Sequence, residues 1–114
     1  MEKNIVIDGK EIPFKATAST PRRYRQIFHK DVFVDMGGLI KNVKDEIPLT
    51  AEMLEAFENI AWLMAKQADE TIPDSPDDWL DQFALLSIYD VLPEIVALWI
   101  NNEQTLSESK KKQG

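Results

Sequence analysis

Thr50-Ala51-Glu52-Met53-Leu54-Glu55-Ala56-Phe57-Glu58-Asn59-Ile60-Ala61-Trp62-Leu63-Met64-Ala65-Lys66-Gln67-Ala68 reads as one helix around which the rest of the chain must pack. Met53, Phe57, Ile60, Ala61, Met64 and Ala68 recur at helical spacing and form one apolar stripe, which Leu54, Trp62 and Leu63 widen. A helix apolar on several sides belongs in the centre of a fold. Thr50 is placed to cap it, Glu52 and Glu55 complement its N-terminal dipole, and Asp69 to Pro73 break it.

Upstream, Ile5-Val6-Ile7 and Ile12-Pro13-Phe14 flank Asp8-Gly9, a dipeptide suited to the positive φ of a tight hairpin turn. That turn sets Ile5, Ile7, Ile12 and Phe14 on one face, with Pro13 on an edge or with its amide position facing outward. An isolated hairpin is marginal in water, so this one must pack on helices or pair with a neighbouring chain. Thr20-Pro21 then opens a helix, threonine as N-cap, with Tyr24, Ile27, Phe28, Val32 and Met36 as its stripe. Gly37-Gly38 is expected to stop or kink it, leaving Leu39, Ile40 and Val43 as a short continuation before the linker Lys44 to Pro48.

Downstream, Ser75-Pro76-Asp77-Asp78 is a helix start, with Trp79, Leu80, Phe83 and Ala84 as the buried face that follows. Ser87 with Asp90 resembles a second cap. Ile88, Val91, Leu92, Ile95, Val96 and Trp99 make the last stripe, with Pro93 kinking that helix or lying in its first turns. The expected architecture is mainly α: an N-terminal β-hairpin over about residues 4–17, packed on about four or five helices. One domain spans 1–102, and a polar, flexible tail spans 103–114.

Charge is distributed unevenly. Residues 1–44 hold nine Lys/Arg against five Asp/Glu, whereas 45–109 hold Lys66 against fifteen acidic residues, and the chain's net charge is −7. Such a chain can pair its basic arm with its own acidic helices or with another copy's, so self-association is an expectation. The acidic balance argues against general nucleic-acid binding. Without cysteine there are no disulfides or thiolate chemistry, which fits a reducing cytoplasm. Neither a signal peptide nor a membrane span is expected.

Catalysis has little to work with, and no enzyme activity, metal or cofactor is expected. His29 is the lone histidine, read as mid-helix, without a second histidine for a metal pair. Asp31 with Asp35, and Asp74 with Asp77 and Asp78, could share a cation, but such carboxylates more often cap helices or stay solvated. Serines and threonines cluster at caps, and no phosphate-binding glycine loop occurs. Arg22-Arg23-Tyr24-Arg25 is the densest basic patch, and cations near a helix N-terminus call for a compensating partner. Trp62, Trp79 and Trp99 fall on apolar stripes, where core packing is the better reading, although an exposed one would anchor a partner.

Four strings, taken in order, resemble the tail assembly chaperones of long-tailed phages and prophages of Gram-positive bacteria. They are Ile5 to Lys10, Thr20 to Arg25, Phe57 to Ala68, and Ser87 to Ile95 followed by Trp99, so the resemblance covers roughly residues 1–100. It implies a protein that binds the hydrophobic, helical tape-measure protein and keeps it soluble while tail-tube protein subunits polymerise around it. It further implies residence in the bacterial host cytoplasm, absence from the mature virion, and a longer form made by ribosomal frameshifting. Lys110-Lys111-Lys112 is compatible with an adenine-rich slippery site or with an ordinary basic tail. The resemblance supplies no binding residues. Adjustable apolar surface and charge nominate Arg22, Arg23, Tyr24, Arg25, Met36, Met53, Trp62, Met64, Trp79 and Trp99 as partner-binding. The alternative function is a small nucleic-acid-associated regulator that uses Arg22, Arg23 and Arg25.

Overall fold

A computed structural model describes the backbone of residues 1–113 and the side chains of residues 1–102, so the side chains of the expected tail over 103–114 lie outside the described residues. Two strands, β1 (Glu2–Ile7) and β2 (Lys10–Lys15), form an antiparallel hairpin. The helices are α1 (Thr20–Phe28), α2 (Val32–Lys44), α3 (Ala51–Ala68), α4 (Pro76–Leu80), α5 (Ser87–Asp90) and α6 (Leu92–Gln113). The hairpin packs on a helical bundle, which is the architecture expected from the sequence.

Asp8 and Gly9 both take positive φ, +52° and +77°, so the turn is the tight primed form whose twist suits the flanking strands. Ile5 pairs with Ile12, Asn4 with Pro13 and Lys3 with Phe14. Met1 and Ala16 exchange backbone hydrogen bonds of 3.0 and 2.9 Å, so every second pair inward from them is hydrogen-bonded and Asn4–Pro13 falls between. Pro13 therefore costs the ladder nothing. Ile5, Ile7 and Phe14 are buried on the inner face, with Ile12 half-buried beside them. Phe14 meets Trp79 edge-on at 6.3 Å, which ties the hairpin to α4.

Helix α3 is central, about 27 Å long, and touches β2, α1, α2 and α4. Phe57, Ile60, Ala61, Met64 and Ala65 are fully buried on it. Thr50 caps it by accepting the Met53 amide at 3.2 Å. Beyond Ala68 the chain is held by α3 side chains: Trp62 donates to the Pro73 carbonyl, and Lys66 donates to the carbonyls of Glu70 and Ile72 and to Asp74.

Three expectations about the first half are corrected. The N-cap position is Ser19, whose side chain makes no capping hydrogen bond, and Thr20 is instead the first helical residue, buried, donating to Gln67 Oε1 at 2.5 Å. The helix does not run to Met36: it ends at Phe28, and His29 takes the left-handed conformation, φ +58°, as the C-cap. Asp31 then caps α2 by accepting the amides of Phe33 and Val34. Gly37-Gly38 lies inside α2 and stops nothing; the helix ends at Lys44 with Asp45 as C-cap, and Glu46 follows with φ +56°. The break escapes a periodicity argument because Phe28 and Val32 are four apart across it, as they would be in one helix.

The second half keeps the expected start at Ser75, which accepts the Asp78 amide, but α4 is five residues long and Ala84 is exposed. Ser87 does not cap α5, whose N-cap is Leu86. Pro93 is the second residue of α6, where its missing amide breaks no helical bond. Among the described residues, no helix is long and apolar enough to cross a membrane.

Candidate partner-binding surface

The residues nominated from sequence separate by burial. Tyr24, Met36, Trp62, Met64, Trp79 and Trp99 are all core side chains, none more than 6% exposed. In this fold they belong to the core, with Trp62 and Trp79 each edging onto a surface cleft. Met53 is half-buried, its sulfur accepting from the Asn42 amide at 3.2 Å. Arg22, Arg23 and Arg25 are exposed.

Tyr24 has a structural task instead. Its hydroxyl donates to Asp35 Oδ2 at 2.6 Å, and Lys30 lies 3.6 Å from the same oxygen. Burial, and then the hydrogen bond to Asp35, push the phenol above its ordinary pKa. Asp31 and Asp35 are thus a helix cap and a tyrosine acceptor.

Among the described residues, the arginines of the basic arm make no ion pair. Ion pairs among the described residues are Lys30–Asp35 and Lys66–Asp74, and neither uses an arginine of α1. The arginines also do not act as one patch. Arg23 and Ile27, one turn apart, line an open cleft of about 570 Å³ together with Lys15 at the end of β2 and Trp62, Leu63, Lys66 and Gln67 on α3. Arg22 and Arg25 stand outside it.

A network of short polar side chains holds one cleft wall. Gln67 Oε1 accepts from Thr20 and Gln67 Nε2 donates to Thr17 Oγ1 at 3.1 Å. Ser19 Oγ lies within 3.4 Å of Gln67 Nε2 and accepts from Arg23 Nε at 3.1 Å. The guanidinium is therefore aimed before any ligand arrives. In the same lining, Lys66 is occupied by two carbonyls and Asp74, whose carboxyl it holds below the usual aspartate value.

Apolar surface lies where the sequence reading did not place it. Leu85 is 88% exposed, and Leu86, Phe33 and Val34 are each above 60%. Phe33 leans edge-on against Trp99 at 6.5 Å. On a helix, where neighbours lie about 100° apart, Val34 falls opposite the Val32–Met36–Leu39–Ile40 stripe and Phe33 borders it beside Ile40. The position of Val34 was therefore readable from the sequence, whereas Leu85 and Leu86 lie outside a helix and gave no such signal.

The chain matches no family model, no curated protein and no solved structure. The described residues also contain no group of three or more His, Asp or Glu arranged to hold a metal ion.

Proposed function

We propose that this chain is a phage tail assembly chaperone that binds the tape-measure protein, keeps it soluble and helps recruit tail-tube subunits. The observation that carries a binding role is the pairing of exposed apolar side chains, Phe33-Val34 and Leu85-Leu86, with a core that is otherwise closed. Leaving such residues in water has no structural benefit, and a client helix with its own apolar stripe would cover them. The narrowing to tail proteins comes from the ordered resemblance over residues 1–100. Action in the host cytoplasm and absence from the virion belong to the same reading.

Co-expression with overlapping tape-measure fragments tests it. The expected result is that at least one fragment becomes soluble and co-purifies, and that replacing Leu85 and Leu86 together with glutamate abolishes the rescue without lowering the melting temperature. The competing reading, a nucleic-acid regulator, draws on the exposed Arg22, Arg23 and Arg25, which make no ion pair among the described residues. Tight, salt-sensitive binding to DNA or RNA, with no contact to any tail protein, would select that reading instead.

A further inference from the structure

The two strands of the hairpin present different outer edges. Backbone bonds join Met1 to Ala16 and then every second pair, so the amides and carbonyls of Glu2, Asn4 and Val6 point away from β2. Among the described residues, no backbone group pairs with them. All three residues are exposed, Val6 by 62%. Asn4 Nδ2 donates to Glu11 Oε1 at 2.9 Å, which draws that side chain across the hairpin and away from the open edge. The outward positions of β2 are Glu11, Pro13 and Lys15, and Pro13 has no amide to offer a further strand. β2 also packs on α3, whereas β1 has β2 as its main neighbour.

An open strand edge is a template for another strand, and folded proteins ordinarily blunt it with proline, lysine or a covering segment. β2 is blunted in that way, and the outward positions of β1 are not. The matching strand is β1 itself. Three antiparallel, two-fold registers bring more than one outward residue of each copy into pairing. Centred on Lys3, the register sets Lys3 against Lys3; centred on Ile5, it sets Glu2 against Asp8. Centred on Asn4, it sets Asn4 against Asn4, Glu2 against Val6, Lys3 against Ile5 and Met1 against Ile7, with no like charges directly opposed. That register alone uses Glu2, Asn4 and Val6 of both copies. We propose that β1 is a dimerisation edge, two copies pairing antiparallel about Asn4 to make one four-stranded sheet. The assignment goes beyond the chaperone reading and does not depend on it.

Sedimentation equilibrium on the full chain from about 1 μM to 1 mM, with amide hydrogen exchange at both ends of that range, tests it. The expected result is a monomer–dimer equilibrium in which the Asn4 and Val6 amides become slow only at high concentration. The Ile5 amide, bonded to Ile12 within the hairpin, should be slow throughout. Raising salt through about 0.05 to 0.5 M should leave the dimer intact or tighten it, because backbone groups hold it and each copy carries a net charge of −7. Asn4→Lys sets like charges against each other at the axis and should weaken the dimer about fivefold, as should Asn4→Asp. Both stand opposite the uncharged Pro13 in their own hairpin, so Ile5 amide protection should persist. An equimolar mixture of the two variants should dimerise better than either alone, since opposite charges then meet at the axis.

A chain that stays monomeric throughout overturns the assignment, as does a dimer whose Asn4 and Val6 amides exchange as fast as in the monomer. A dimer that dissociates as salt rises is held by basic and acidic surfaces instead, and overturns it too. Tightening by Asn4→Lys would mean that the lysine meets Glu2 of the second copy, which overturns the register. If the edge amides slow on adding a tape-measure fragment and not with the chain's own concentration, the second-copy assignment fails and the chaperone reading stands. If the dimer shows the expected signatures and no fragment is solubilised, the dimer assignment stands and the chaperone reading fails.

Discussion

Asp8, at the tip of the hairpin, accepts a hydrogen bond from the hydroxyl of Ser87, 79 residues further along the chain. The same carboxylate accepts the Ala84 amide at 2.8 Å, so one side chain fixes both ends of the segment that displays Leu85 and Leu86. The hairpin thereby positions an apolar pair that the helices alone would leave on an unanchored loop.

These two bonds, Ser87 first, hold the Asp8 carboxyl below the ordinary aspartate value of 3.8. A lowered folded-state value means the clasp's contribution is complete above the unfolded value and is lost only as pH falls through the lowered one. The Ala84 amide resonance should therefore titrate with a midpoint below 3.8. Asp8→Asn, which tolerates the positive φ, should keep the turn yet speed Ala84 amide exchange. An unchanged exchange rate would show that the clasp does not hold the segment.

Alkaline titration should distinguish Tyr24 from a free tyrosine. Its raised value means the folded state resists ionisation, so stability is complete below the unfolded value of 10.0 and declines as pH rises above it. Absorbance at the phenolate band should show Tyr24 ionising only together with unfolding. Tyr24→Phe removes the bond to Asp35 and should cost about 1–2 kcal/mol by denaturant titration, since it leaves a partly buried carboxylate short of a donor.

Glycines should respond in opposite directions. A Cβ at Gly37 would meet nothing within 4 Å and the residue is helical, so Gly37→Ala should stabilise by about 0.5–1 kcal/mol. Gly9 has φ +77°, so Gly9→Ala should destabilise despite equal space. Thermal melts of the two variants check both signs. A loss at Gly37 would mean that the helix is broken there after all.

Trp79 is 1% exposed and meets Phe14 and Phe83 edge-on. Trp79→Ala should cost about 3–5 kcal/mol, a large share of the stability of a domain this size. Loss of the hairpin's amide protection before that of α3 would be the accompanying signature in hydrogen exchange.

Much of the fold was legible locally. The Asp8-Gly9 turn, the Thr50 and Ser75 caps and the α3 stripe follow from φ preference, side-chain acceptors and period. The α1–α2 break was not, because Asp31 can cap a helix or sit within one, and the apolar spacing is the same either way. The surface was the least legible part. Methionine and tryptophan are chemically suited to binding, yet Met36, Met64 and all three tryptophans are spent on the core.

By itself, the sequence determined the mainly helical class, the hairpin and its register, the central helix and the basic-to-acidic division of the chain. These depend on interactions within a few residues or on plain counting. Tertiary structure decided which apolar residues face water, which arginine enters the cleft, and that Asp8 meets Ser87. Each of those depends on how separate elements pack, and side chains of equal hydrophobicity or equal charge differ there only in which neighbours the packing brings to them.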